Sequence, residues 1–105
     1  MFGRFVTIKL KVDSAEELVR INNDTIVPLL RKQKGFRDES LHIAPCGSEA
    51  IAKTTWMTKE DARSYDRLCS GEIRMALAPV VEGKPMMEGF EFAEPAFQKQ
   101  FAKAA

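Results

Sequence analysis

The sequence predicts one α+β domain in which four strands and two helical regions follow the order β-α-β-β-α-β. Three observations support this prediction: an alternating apolar segment near the start, two segments with apolar residues at helical spacing, and a turn signal between two strand-like runs. Elements in this order form the ferredoxin-like split β-α-β arrangement, a four-stranded antiparallel sheet with both helices on one face. The other face is then uncovered, and a partner subunit could cover it.

The first half of the chain predicts a strand followed by a helix. Residues 4–12 alternate between apolar and polar side chains, as expected of a strand with one buried face. Ser14 and Glu17 then have the spacing of a capping box, which predicts a helix start. Pro28 lacks an N–H and predicts a kink or break in that helix. Gly35 is suited to the left-handed residue that ends it.

The middle of the chain predicts a hairpin. Residues 36–45 and 50–56 are strand-like, and a Pro-Cys-Gly-Ser turn signal lies between them. The two strands are therefore expected to pair antiparallel. Alternation in the first of them places His42 on the face opposite Leu41 and Ile43.

The second half predicts a second helical region and a closing strand. Thr58 and Asp61 have capping-box spacing and predict a helix directly after the hairpin. The Ser-Gly-Glu sequence at residues 70–72 predicts an interruption of that helix. Apolar residues at helical spacing over residues 73–81 predict its second piece. A fourth strand is predicted over residues 86–92.

Composition and charge indicate a soluble globular domain. The chain has 105 residues, 45% of them hydrophobic and 30% charged, with a formal net charge of +1, so the basic excess of a nucleic-acid-binding protein is missing. It has neither an apolar run of about 18 residues nor a signal-peptide pattern, which predicts a cytoplasmic protein without a membrane partner. Cys46 and Cys69 lie outside any Cys-x-x-Cys or Cys/His cluster, so free thiols and no metal site are expected.

Four short segments stand in an order and spacing typical of one protein family. They are Ile-Val-Pro-Leu-Leu-Arg-Lys-Gln-Lys-Gly-Phe at residues 26–36, Trp56-x-Thr58-x-Glu60, Arg-Met-Ala-Leu-Ala-Pro-Val-Val-Glu-Gly at residues 74–83, and Met-Glu-Gly-Phe-Glu at residues 87–91. Together they resemble the antibiotic biosynthesis monooxygenase family of dimeric α+β barrels. The resemblance implies a homodimer whose two sheets form a barrel with the helices outside. It assigns residues 1–93 to the barrel domain and residues 94–105 to a C-terminal tail.

The resemblance also implies a reaction class. Enzymes of the family oxygenate phenols and quinols to quinones, or break down haem, in a cleft between the sheet and helices of each subunit. The positions that the haem-degrading branch requires hold Thr7, Tyr65 and Met75 here, with no His to ligate iron, so haem breakdown is not expected. What remains is a monooxygenase that needs no cofactor and takes electrons from a small aromatic ligand, a phenol or quinol.

Three residues are candidates for catalysis. His42 is the only imidazole of the chain and therefore the default general base. Arg74 lies in the second helical region, where it would present a cation to a phenolate. Tyr65 lies three residues beyond Ala62, on the same helix face, and could look into the cleft.

The quinone-forming enzymes of the family use a strand-end Trp, an Asn four residues earlier and a Tyr shortly afterwards. Trp56 matches the first, but Ala52 and Ala62 stand at the other two positions. The alternative is therefore a non-catalytic dimeric barrel that binds a small hydrophobic ligand. An open pocket ending on Tyr65 would favour the enzyme, and a plugged cleft would favour the alternative. The candidate substrate-binding residues are Trp56, Tyr65, Met75 and Leu77. In a plugged cleft, Trp56, Met75 and Leu77 would fill the space.

Overall fold

The computed structural model describes residues 1–92. Its strands are β1 (Phe2–Leu10), β2 (Phe36–Ile43), β3 (Glu49–Trp56) and β4 (Val81–Glu91), and its helices are α1 (Ala15–Ile21), α2 (Val27–Arg31) and α3 (Lys59–Leu77). All strand pairs are antiparallel, in the order β2-β3-β1-β4, and the helices pack on one face. The predicted fold class is confirmed. The predicted boundary between a domain at 1–93 and a tail at 94–105 lies outside the described residues.

Strand β1 has the predicted alternation but ends earlier than expected. Ile8 and Leu10 are buried on the helix side, whereas Phe5 is exposed on the opposite face. The chain leaves the sheet after Leu10, and Asp13 adopts a positive φ of 57° in the turn that leads to α1. The prediction that Val12 shares the buried face is therefore wrong, since its side chain is 89% exposed.

The first helical region is continuous, with a wider turn where a break was predicted. A π-helical turn at Asn22–Ile26 joins α1 to α2, directly before Pro28, whose missing N–H cannot bond to the carbonyl four residues earlier. The predicted capping box is wrong, because Ser14 makes no side-chain cap and its Oγ lies 3.4 Å from the carbonyl oxygen of Val12. Gly35 has the expected left-handed conformation, with φ at 79°.

Helix α3 begins where predicted and runs on unbroken. The Thr58 hydroxyl accepts a hydrogen bond from the Asp61 N–H at 3.1 Å, which confirms the cap. The predicted interruption at residues 70–72 is wrong, because a single exposed glycine costs only about 1 kcal/mol in a helix that is packed along its length. The helix ends at Leu77, and β4 begins at Val81 rather than at residue 86.

The core lies between the sheet and the helices and has two parts. The part near the β3–α3 corner contains Phe2, Leu30, Trp56, Ala62, Tyr65 and Cys69. The part at the other end contains Ile8, Leu10, Leu18, Ala50, Leu77 and Val80. Within residues 1–92, no helix is both long and apolar enough to cross a bilayer.

No helix covers the second sheet face, which we call the helix-free face. Its members include Phe5, Thr7, Ile51, Met86 and Phe90. The rings of Phe5 and Phe90 stack there with centroids 5.4 Å apart, and both are 37% exposed. Large apolar side chains are therefore left against solvent along the middle of the sheet.

Candidate functional site

Trp56 and Tyr65 pack on each other at the corner where β3 leads into α3. Their ring centroids are 5.3 Å apart, and the edge of Phe36 approaches the indole from another side at 5.6 Å. The indole is fully buried, and its Nε1–H donates to the Thr54 hydroxyl at 3.1 Å. Trp56 is thus a buried ring whose polar atom is already satisfied by its own strand.

The Tyr65 hydroxyl stays neutral over the physiological pH range. Burial of the phenol raises its pKa well above the usual value, and the nearby Arg4 guanidinium offsets only part of that effect. A buried neutral hydroxyl can donate a hydrogen bond, but it cannot serve as the base that removes a proton from a substrate.

A cleft of about 260 Å³ opens beside this corner, between α3 and the β1–β4 pair. We call it the α3 cleft, and its lining includes Phe2, Arg4, Lys59, Ala62, Asp66 and Met87. Phe2 and Ala62 belong to the same core cluster as Trp56 and Tyr65. The two larger rings therefore lie one layer behind the wall of the cleft.

Arg4 is the buried charged group of the α3 cleft. Its side chain is 10% exposed, and Nη1 donates to Asp66 Oδ2 at 2.6 Å. Arg4 Nε is buried and has no hydrogen-bond partner among residues 1–92. Lys59 and Arg63 also line the cleft and bring further positive charge to it.

The structure places the other predicted site residues away from the α3 cleft. His42 is exposed on the helix-free face, on the opposite side of the sheet from Tyr65. Arg74 and Met75 are exposed near the end of α3, and Leu77 is buried in the second core cluster. Of the six residues, only Trp56 and Tyr65 are brought together.

Neither of the two expected arrangements around Tyr65 is found. An open pocket is present, but it ends on Arg4 and Asp66, with Tyr65 behind it. Met75 does not fill a cleft, since its side chain is 80% exposed. Sequence reasoning missed Arg4, although the alternation of β1 places it in phase with Ile8 and so on the buried face.

A second depression, of about 300 Å³, lies on the helix-free face and is lined by Phe5, Thr7, Ile51, Met86 and Glu88. It is larger and no more open than the α3 cleft, and it forms part of the exposed apolar surface. Cys46 is an exposed and Cys69 a buried free thiol. Within residues 1–92, no group of three His, Cys, Asp or Glu side chains is placed to hold a metal ion.

The sequence matches no protein-family model and no curated protein, but the fold has clear counterparts among solved structures. One is a proposed antibiotic biosynthesis monooxygenase from Bordetella bronchiseptica, with 11% identity, a TM-score of 0.78, and coverage of 89% of this chain and 97% of the other. Another is a Streptomyces coelicolor monooxygenase in complex with nanaomycin D, with 20% identity, a TM-score of 0.76, and coverage of 89% and 88%. The chain has the antibiotic biosynthesis monooxygenase fold.

A third counterpart with this fold is a cofactor-independent oxygenase, SnoaB from Streptomyces nogalater, with 12% identity, a TM-score of 0.74, and coverage of 89% of this chain and 93% of the other. The fold predicted from the sequence is thus confirmed over nearly the whole described chain. At these identities the likeness concerns the antibiotic biosynthesis monooxygenase architecture alone, because one fold supports several chemistries.

Proposed function

We propose that the protein is a cofactor-independent monooxygenase that oxidises a small phenol or quinol to a quinone. The observation that carries the proposal is the α3 cleft, which combines an apolar wall with a buried guanidinium. Such a combination suits an aromatic ring that becomes an anion during the reaction. The S. nogalater counterpart with this fold is a cofactor-independent oxygenase, so the architecture is compatible with this reaction class.

The proposed reaction needs no electron source besides the substrate. A phenol and O2 give a quinone and water, and a quinol and O2 give a hydroxyquinone and water. In both reactions one oxygen atom enters the ring and the other leaves as water. The phenol must first lose its proton, and Asp66, 39% exposed in the α3 cleft, is the carboxylate placed to accept it. The positive charge of Arg4, Lys59 and Arg63 favours the resulting phenolate.

The residues predicted from the sequence take different parts in this proposal. Trp56 and Tyr65 support the wall of the α3 cleft from behind, where they fix Phe2 and Ala62. Catalytic roles for His42 and Arg74 would require a site other than the α3 cleft.

We also infer that a second copy of the chain covers the helix-free face, giving the homodimeric barrel that the family resemblance implies. Exposed apolar side chains that form a continuous patch on one face commonly mark an interface between proteins. Phe5, Ile51 and Met86 form such a patch here.

A non-catalytic dimeric barrel that binds a small hydrophobic ligand is the second candidate. It is favoured by Ala62, which lines the α3 cleft where the quinone-forming enzymes of the family have a Tyr hydroxyl. The same cleft would then hold an aromatic ligand without converting it.

The test is oxygen consumption by the purified protein with a panel of hydroquinones and naphthols. We expect uptake of one O2 for each quinone formed with at least one compound, and a lower turnover number after Asp66→Asn. If no compound is consumed while one or more bind in the α3 cleft, the enzyme proposal is wrong and the ligand-binding candidate takes its place.

A further inference from the structure

Arg4 has more hydrogen-bonding capacity than its surroundings use. A guanidinium carries five N–H donors. Nη1 is the only one of the three Arg4 nitrogens with a hydrogen-bond partner among residues 1–92, and the buried Nε has none. Burial of a charged group without full hydrogen bonding is costly. Asp66 offsets only part of that cost, because its carboxylate contacts a single nitrogen and is itself 39% exposed.

The unused donors lie together on one edge of the guanidinium. Nε and Nη2 project from the same side of the planar group, opposite the Nη1 that holds Asp66. That edge has the spacing at which arginine donates two parallel hydrogen bonds to one carboxylate. That edge therefore suits a planar anion.

Strand β4 places no side chain directly over Arg4. Its register partner on β4 is Gly89, so no side chain from that strand closes over the guanidinium. A Cβ at Gly89 would overlap the Phe2 ring, which lies against that part of the strand. Met87, 59% exposed and unbranched, is the adaptable part of the same wall.

The remaining charges of the α3 cleft also favour an anion. Lys59 and Arg63 contribute two exposed cations from the first turns of α3, although Arg63 also pairs with Glu60 at 3.4 Å. Glu88 lines the cleft too, but its register with Phe5 places its side chain toward the helix-free face. Asp66 is then the one carboxylate side chain directed to the cleft among the lining residues.

We propose that the α3 cleft binds an aromatic carboxylic acid of one or two rings, with the carboxylate on the Arg4 guanidinium. A two-pronged contact through the Nε–Nη2 edge requires the buried Nε to turn toward the cleft when the ligand binds. The ring then lies against Phe2, Ala62 and Met87. A cleft of about 260 Å³ is smaller than the pockets of drug-sized ligands, which begin at about 300 Å³. The inference rests on the proposed function for the aromatic nature of the ligand, and it makes Arg4 the residue that determines specificity for the acid.

The test compares 2-hydroxybenzoate with 2-hydroxybenzamide, which has the same shape and no charge. In both, the phenol hydroxyl lies beside the acid or amide group, at the end of the ring that would meet Arg4 and Asp66. Isothermal titration at pH 7 measures both affinities, and amide chemical-shift changes map the binding site. We expect the acid to bind about 10- to 100-fold more tightly than the amide, the range expected of hydrogen bonds to a charged group. The shifts should concentrate at Phe2, Ala62 and Gly89.

Variants separate a binding role of Arg4 from a structural one. Arg4→Lys keeps the charge and loses the two-pronged geometry, so acid binding should weaken about tenfold while amide binding changes little. Asp66→Asn removes the competing carboxylate and should leave acid binding equal or tighter. Arg20→Gln is the matched control, because Arg20 pairs with Glu17 on the surface of α1, and it should change neither affinity.

Several results would overturn the inference: equal affinity for the acid and the amide, unchanged acid binding in Arg4→Lys, or shift changes on the helix-free face. The titrations need no turnover, so they can fail independently of the proposed reaction. If the acid binds but no oxygen is consumed, the carboxylate subsite is supported and the monooxygenase proposal is wrong. If oxygen is consumed with uncharged phenols and the acid is not preferred, the monooxygenase proposal is supported and the carboxylate subsite is wrong.

Discussion

Arg4 occupies a position of β1 whose helix-facing neighbours along the strand are apolar. Phe2 and Ile8 on the same face are buried, and Arg4 itself is 8% exposed. Burial of a guanidinium in such a face costs several kcal/mol unless its donors are used. Asp66, 62 residues further along the chain, uses one of them. The burial of Arg4 is therefore consistent with the proposed anion-binding role, since it adds little to the stability of the fold.

Glu39 provides a second test at the scale of single residues. It lies on the helix-facing side of β2, where partial burial raises the pKa of its carboxyl and a hydrogen bond from Asn22, at 3.2 Å, opposes that shift. A carboxyl with a raised folded-state pKa binds its proton more tightly in the folded protein. The free energy of unfolding therefore falls as pH rises from the unfolded-state value, about 4.3, through the folded-state value.

We predict that Glu39→Gln raises the melting temperature at pH 7.5 and brings no gain at pH 4, where the wild-type carboxyl is largely protonated. Thermal unfolding by circular dichroism at the two pH values measures the difference. Asp38→Asn, at an exposed neighbouring position of β2, should give no such pH-dependent gain. A lower melting temperature of Glu39→Gln at pH 7.5 would show that the bond to Asn22 outweighs the burial of the charge.

Two glycines show how far element boundaries depend on backbone conformation. Gly35 ends the first helical region with φ at 79°, and a side chain there would overlap the Asp61 carboxylate at the start of α3. Gly71 lies inside α3, with open space where its Cβ would be. The same substitution should therefore have opposite effects at the two positions.

We predict that Gly35→Ala lowers the free energy of unfolding by about 1–3 kcal/mol, the cost of a strained backbone position. Gly71→Ala should raise it by about 0.4–1 kcal/mol, because it reduces the freedom of the unfolded chain at a helical site. Urea denaturation of the two variants and the wild type measures both changes. A stabilised Gly35→Ala would mean that the left-handed turn is not required.

The sequence was informative where a local rule decides the structure. The alternation of β1, the Thr58 cap and the Gly35 turn each depend on residues within one or two turns of each other. It was misleading at the end of α3, because Leu77 and Val80 are both buried although the helix stops between them. Apolar spacing indicates which residues are buried, and buried residues continue past the end of α3, through the turn that leads into β4.

The composition of the cleft depends on contacts that no local pattern records. Asp66 meets Arg4 across 62 positions of the chain, and Tyr65 packs on Trp56, which lies on a different element. His42 was correctly placed on the face opposite Leu41, yet the sequence did not indicate that this face lies away from the helices. Long-range packing therefore decides which candidate residues share a site.

At the scale of the whole molecule, the helix-free face is the proposed interface with a second copy of the chain. Phe5 is 37% exposed on that face, whereas Val19 is 39% exposed on α1. We predict that Phe5→Glu converts the proposed homodimer to a monomer, because it places a charge in the proposed apolar interface, and that Val19→Glu leaves the dimer intact. Light scattering coupled to size-exclusion chromatography measures the mass. A wild-type monomer, or a dimeric Phe5→Glu variant, would contradict the proposed interface.

The position of the reaction within the molecule can be tested by filling the α3 cleft. Met87 lines it, whereas Leu68 is 75% exposed elsewhere on α3. The decisive measurement is oxygen uptake by the wild type, Met87→Trp and Leu68→Trp. The substrate is the quinol or naphthol of the panel that the wild type consumes fastest. We predict at least about tenfold lower kcat/KM for Met87→Trp, equivalent to about 1.4 kcal/mol of lost transition-state stabilisation, and wild-type activity for Leu68→Trp. Full activity of Met87→Trp, or no oxygen uptake by the wild type, would contradict the α3 cleft as the site of a monooxygenase.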